Sequence, residues 1–372
     1  MELQTRLVFI DTSAYEIKKL QFGRFVLRRL QHLVEERKIH LLITDVVRSE
    51  IEKHLKKHAE EAVTAYKNFR KAGSFLCVAD EVTGGGLFPD ITSEAVLGAA
   101  MQKFHALVDN GLTETVSVAD VNPRKIFDDY FSGAAPFHRE AKKSEFPDAF
   151  SLAAVDAVAR VRNHRVYIVS DDSDMAAVAD ANDNFIHLKS IDALLDLVNR
   201  NDEELAELST FADSVLDHLR EEIISLAREK LSNGEFLAYS SGDADPQLLD
   251  IEILSIGIDE VQLIEVNKDD ATYDITFAVD LTASYDFADY SRANWDKEDR
   301  VYYGVEYSSE SFHHQEKYVA ALEVGFIDGI RANAEVHLLS FDDSIFDLDM
   351  DNAKYIECMS EAADEPQFPE PF

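Results

Sequence analysis

Four short apolar runs constrain this chain more than any other feature: RLVFID (6–11), IHLLIT (39–44), RVYIVS (165–170) and FIHL (185–188). Their residues are apolar almost without interruption, as in strands buried on both faces. Segments with helical spacing lie between them. Residues 22–38 place Phe22, Phe25, Val26, Leu30 and Leu33 on one face, and 45–72, 92–110, 145–162, 171–181 and 190–200 also read as helices. Strands alternating with helices predict an α/β fold, a parallel sheet flanked by helices in three layers. The span 73–137 is the least patterned; it is read as a GGG turn at 84–86, the helix at 92–110 and a loop ending in SGAAPF.

In such sheets ligands collect at the carboxyl ends of the strands. Asp11 closes the first run, and Asp171, Asp172 and Asp174 follow the third. Glu50 falls in the first turns of the helix after the second run, and Asp148 in the first turn of its own helix. Carboxylates gathered without matching Lys or Arg repel one another and call for a cation. An all-oxygen set suits Mg²⁺ or Mn²⁺ rather than zinc, and such ions support phosphodiester cleavage. Each acid also has a plainer reading. Asp11 and one of the 171–174 group could be helix caps, and Asp148 a first-turn residue favoured by the helix dipole. Glu50 competes with Glu52, and Asp156 is expected at the surface.

The segments FIDTS (9–13), VRSEI (47–51), FPDAF (146–150) and IVSDDSDM (168–175) together resemble the PIN family of metal-dependent ribonucleases, over about residues 5–195. The resemblance implies a PIN-like three-layer fold and a metal site of Asp11, Glu50, Asp148 and Asp172, with Asp174 auxiliary and Asp171 variable. It also implies a substrate phosphate near Thr12, Ser13 and Ser170. Lys142, Lys143 and the helix start near Phe146 are further places for a backbone phosphate. KKSEFPDAF (142–150) is most similar to a bacterial branch with an appended C-terminal domain. The implied activity is endoribonuclease cleavage with Mg²⁺ or Mn²⁺ in a defence, toxin-like or RNA-turnover role. Two alternatives stay open: a structure-selective DNA nuclease, and a non-catalytic scaffold acting as a binding module.

Other chemistries lack their residues. His54 and His58 have H-x3-H spacing, but Leu55 stands where a zinc protease needs Glu. His138, His313 and His314 have no evident partners for metal-free cleavage. Ser13 breaks the DxDx[TV] pattern of haloacid-dehalogenase-type phosphatases, and GGGLF (84–88) is not a P-loop. Cys77 and Cys358 read as free thiols of a reducing compartment. With no secretory signal and no apolar run of membrane length, the expected location is cytoplasmic.

Charge divides the chain. Residues 201–372 carry 42 Asp and Glu against 10 Lys and Arg, a net of −32, while residues 1–200 carry 30 against 26, a net of −4. The changeover near Asn199–Glu204 suggests a nuclease domain at 1–200 and an acidic α+β domain at 201–372. The second is expected to hold a helix at 202–232 and mainly antiparallel strands within 250–341, read at 250–266, 271–290, 301–308, 317–327 and 334–341. A mobile loop is expected at 286–300 and a disordered tail at 360–372. Phosphates would be repelled by this half, so it is expected to bind a protein partner or a second copy, to shield the nuclease, or to keep the chain soluble.

Overall fold

A computed structural model describes residues 2–74, 88–137, 145–239, 246–289, 293–296, 301–326 and 331–356. The chain divides into two compact units, Met1–Ser209 and Thr210–Phe372.

The first unit is a parallel sheet with helices around it. In chain order it runs β1 (Leu7–Ile10), α1 (Thr12–Ile17), α2 (Phe25–Glu35), β2 (His40–Thr44), α3 (Asp45–Ala72), α4 (Ser93–Val108) and β3 (Glu114–Val116). It continues with α5 (Pro123–Ser132), α6 (Phe146–Arg162), β4 (Val166–Val169), α7 (Ser173–Asp180), β5 (Phe185–Leu188) and α8 (Ile191–Asn201). The strand order is β3-β2-β1-β4-β5, every pair parallel. β1 and β4 lie in the middle, and all eight of their residues are buried. Hydrophobic burial of this kind contributes roughly 1.5–3 kcal/mol per large side chain. The chain winds outward from β1 to β2 and β3, then returns to β4 on the other side of β1. The boundary between β1 and β4 is therefore the topological switch point, the place where sheets of this kind bind ligands at the strands' carboxyl ends.

The expected α/β architecture is present, with three additions that the sequence reading lacked, of which α1, directly after β1, is the first. β3 is a fifth strand, and α5 occupies what was read as loop. Asn122 caps α5 by accepting from the Arg124 N–H at 3.0 Å, Pro123 fills its first turn, and left-handed Gly133 (φ 70°) ends it. The GGG turn at 84–86, Cys77, His138, Lys142 and Lys143 lie outside the described residues.

The second unit is an antiparallel sheet with a long helix. α9 (Ala206–Ser232) begins just before the division. It is followed by β6 (Glu235–Tyr239), β7 (Gln247–Val266), β8 (Asp270–Asp289), β9 (Asn294–Asp296), β10 (Val301–Tyr303), β11 (Glu306–Phe326), β12 (Ala334–Phe341), β13 (Ile345–Asp349) and β14 (Lys354–Ile356). The main sheet runs β12-β11-β8-β7, with β14 pairing the other end of β11. β8 alternates strictly: Tyr273, Ile275, Phe277, Val279, Leu281, Ala283 and Tyr285 are buried, and the residues between them are not. α9 buries Ala212, Val215, Leu216, Leu219, Ile223, Ala227 and Leu231, a stripe at helical spacing. The helix meets the sheet through Phe211 and Phe326, whose rings are 5.2 Å apart, and through Arg228, which donates to the Ile253 carbonyl at 2.9 Å.

β11 is one strand of 21 residues where two, 301–308 and 317–327, were expected. His314 and Glu316 hold inward positions, and they disguise the alternation. His314 is buried and shares a 2.9 Å hydrogen bond with the Tyr285 hydroxyl, while His313 stands 3.7 Å from Asp280. The segment 286–300 is no single loop, because β8 extends to Asp289 and β9 pairs with β10. β6 and β13 form a parallel pair that the sequence reading lacked. Cys358 and the tail 360–372 lie outside the described residues. Among the described residues no helix is long and apolar enough to cross a membrane.

Candidate metal centre

Asp11 follows β1 directly and continues its ladder, its N–H donating to the Val169 carbonyl at 3.0 Å. Ser170 does the same after β4, donating to the Leu188 carbonyl at 3.0 Å. The Ile10–Val169 register thus sets Asp11 and Ser170 side by side at the switch point. The Ser170 hydroxyl donates to Asp11 Oδ2 at 3.2 Å, and the Ser13 hydroxyl and N–H donate to the same oxygen. Asp11 is buried, it caps α1, and these three bonds all fall on one carboxylate oxygen.

Glu50 lies in the second turn of α3, which Thr44 caps by accepting from Val47 N. The buried Thr12 hydroxyl donates to Glu50 Oε2 at 2.8 Å, which ties α1 to α3. Glu52 faces elsewhere, 3.3 Å from Arg48 and 3.5 Å from His105. The structure thus distinguishes two glutamates that helical spacing alone could not. Further along α3, His54 and His58 both contact the Glu16 carboxylate, His58 at 3.0 Å. Burial works to raise Glu16, but the hydrogen bonds from the two histidines outweigh it and hold the group low. The H-x3-H spacing therefore serves a clamp between α1 and α3.

Asp172 caps α7, its Oδ1 accepting from the N–H groups of Asp174 (2.6 Å) and Met175 (3.2 Å). Its own N–H donates to the Ser170 hydroxyl at 3.1 Å. Asp174 is buried in the first turn of α7, and Asp171 is exposed. His187 Nε2–H donates to the Ser170 carbonyl at 2.8 Å and fixes the turn from behind. Asp156 departs from its expected surface position. It is buried, accepts 2.9 Å bonds from the side-chain amides of Asn182 and Asn184, and pairs with Arg160 at 2.7 Å. Burial works to raise its pKa, but these partners outweigh it, so Asp156 joins α6 to the turn before β5 as an ionised structural group.

Asp148 sits in the first turn of α6, half-buried. Burial pushes its carboxyl up to about 8, and the charges of Asp11, Glu50, Glu145 and Asp172 add to the effect. Residues spread from 11 to 172 therefore act on one another electrostatically. No Lys or Arg among the described residues pairs with Asp11, Glu50, Asp148 or Asp172. An all-carboxylate set that holds a proton at neutral pH fits a hard divalent cation, which would displace that proton. Among the described residues no three His, Cys, Asp or Glu side chains already close around one point, so a cation would have to draw them inward.

Residues 8–175 match a family model described as a PIN domain. The N-terminal unit is a PIN domain. No curated protein and no solved structure matches the chain. The match spans all four acids, and the second sheet beyond it is compatible with a PIN domain carrying an appended C-terminal domain. PIN domains are generally nucleases and typically use divalent metals, so nucleic acid is the indicated substrate class. Within this PIN domain, Phe127 and Phe131 on α5 are features that the sequence reading passed over. The paired signal of Asn122-Pro123 before them and Gly133 after them was available to mark their helix.

Proposed function

We propose that the PIN domain is a divalent-metal-dependent endoribonuclease. Asp11, Glu50, Asp148 and Asp172 would hold Mg²⁺ or Mn²⁺, with Asp174 in an auxiliary place. The observation that supports this reading is that the charges of Asp11, Glu50 and Asp172, carried by separate elements, all act on Asp148, while no basic residue among the described residues pairs with any of the four. When bound, such ions activate a water for attack and offset the charge on the leaving oxygen.

The chain's own groups have distinct tasks in this account. Ser13 and Ser170 fix one oxygen of Asp11, which leaves the other to accept. Thr12 orients Glu50. The same three hydroxyls are also the ones expected near a substrate phosphate. Burial and the neighbouring acids keep a proton on Asp148 at neutral pH, and a bound cation would displace it.

The acidic second unit fits a binding module for a protein partner or a second copy, because its charge disfavours phosphates. A cytoplasmic, toxin-like or defence role accords with a nuclease that recognises RNA. Side-by-side digestion of labelled RNA, single-stranded DNA and flap DNA in Mn²⁺ tests the reading, with Asp11→Asn as control. Wild-type cleavage of RNA that the variant lacks is expected. Faster cleavage of either DNA would shift the assignment to a DNA nuclease, and no cleavage of any substrate would favour a binding scaffold.

A further inference from the structure

The outer side of α5 carries two large aromatic side chains in solvent, Phe127 at 47% and Phe131 at 77% exposure. They are one helical turn apart, with ring centroids 6.4 Å apart and planes inclined by 28°. The series continues inward: the Phe127 ring lies 5.4 Å from that of Phe146, which is two residues before Asp148 in the first turn of α6. The layer beneath is well supported. Phe146 packs 5.1 Å from Tyr130 and 5.0 Å from Phe137, Tyr130 meets Phe137 edge-on, and Ile126 and Phe137 are buried below them. A stepped row of rings thus leads from solvent to the helix start that bears a proposed metal ligand.

We propose that Phe127 and Phe131 form a stacking shelf for unpaired bases of the nucleic acid cut at the carboxylate cluster. This rests on the nuclease reading and deepens it. Every base offers a π-face, so aromatic side chains hold single strands without regard to sequence, and a duplex keeps those faces to itself. The continuity of the rings with the start of α6, which bears Asp148, favours the same occupant. Arg124 and Lys125 on α5 are offset by Asp128 and Asp129, and the chain as a whole carries −36. Release of counterions from phosphates, the usual source of affinity, has little to act through here. Stacking supplies an attraction that does not depend on net charge.

The test uses the full-length protein and a fluorescein-labelled single-stranded oligouridylate, with a duplex of the same length as control. Binding is read by anisotropy in EDTA for wild type, Phe127→Ala, Phe131→Ala and Phe131→Trp. Each alanine is expected to weaken single-strand binding by about fivefold or more, with the duplex bound weakly by all. Phe131→Trp is expected to retain affinity, and its added fluorescence should be quenched by the oligonucleotide. Equal binding by wild type and both alanine variants would overturn the shelf, whether or not the wild type cuts RNA in Mn²⁺. Oligonucleotide that is bound through the shelf but never cut would sink the nuclease reading and leave the shelf standing. A wild-type dimer that either alanine breaks, with oligonucleotide affinity unchanged, would reassign the rings to an interface between copies.

Discussion

Asp148 shows how a single side chain can disfavour folding while serving a site. In the unfolded chain its carboxyl ionises near 3.8, but in the folded protein burial and neighbouring acids delay ionisation to about 8. The folded state therefore binds more protons between those values, and without metal its stability falls as pH rises through that window. Asp148→Asn removes the conflict. In EDTA at neutral pH it is expected to raise unfolding free energy by about 1–2 kcal/mol over wild type, with little gain at pH 5, as read by urea denaturation. Loss of stability at both pH values would contradict the assignment. Asp156 should behave in the opposite way. Asp156→Ala strands the Asn182 and Asn184 amides and the Arg160 head group, and is expected to cost about 2–3 kcal/mol while the remaining folded protein keeps its cleavage rate. The resemblance to the PIN family named Asp11, Glu50, Asp148 and Asp172 as one group. It could not show that Asp156 turns inward, because the reason lies in two asparagines of a turn that only the fold brings beside it.

At the scale of elements, legibility followed burial. β1 and β4 are buried on both faces, so their sequences are unbroken apolar runs. β3 is a three-residue edge strand with Val116 alone buried, and α5 buries only Ile126, so neither carries a periodic signal. β7 is a subtler case. Its register against β8 shifts between Leu248 and Asp250, Ile253 and Ser255, Ile258 and Glu260, and Leu263 and Glu265. One residue is passed over every five, and at each such place the two-residue alternation changes phase. Inward positions thus fall at Ile251, Ile253, Ile256, Ile258, Val261 and Leu263, a pattern that a strict period of two would not follow. Inserting one alanine between Ile256 and Gly257, midway between two of these shifts, would put the flanking segments out of phase and turn one of them inside out. The expected outcome is loss of cooperative unfolding in the second unit, monitored by near-ultraviolet circular dichroism. A variant that unfolds like wild type would show that the bulges do not set the register.

For the molecule as a whole, the unequal charge of the two units has consequences for substrate approach. Residues 1–209 carry 34 acidic and 26 basic side chains, a net of −8, and residues 210–372 carry 38 and 10, a net of −28. A chain ending at Ser209 keeps Asp202, which pairs with Lys38, and Ser209, which donates to the Leu205 carbonyl at 2.8 Å. This truncated protein is expected to cut RNA with a lower KM than the full chain at low ionic strength. The difference should narrow as salt shortens the reach of charge to about 10 Å at 0.1 M. An equal KM at every salt concentration would contradict a repulsive role for the second unit. The central claim is that four acids scattered along the PIN domain form one cation site, and calorimetric titration with Mn²⁺ at neutral pH tests it most directly. Wild type is expected to bind with release of protons, while Asp11→Asn and Asp148→Asn lose at least about tenfold in affinity and Asp148→Asn releases fewer protons. Mn²⁺ binding of equal affinity and equal proton release in all three proteins would show that these carboxylates are not the metal centre.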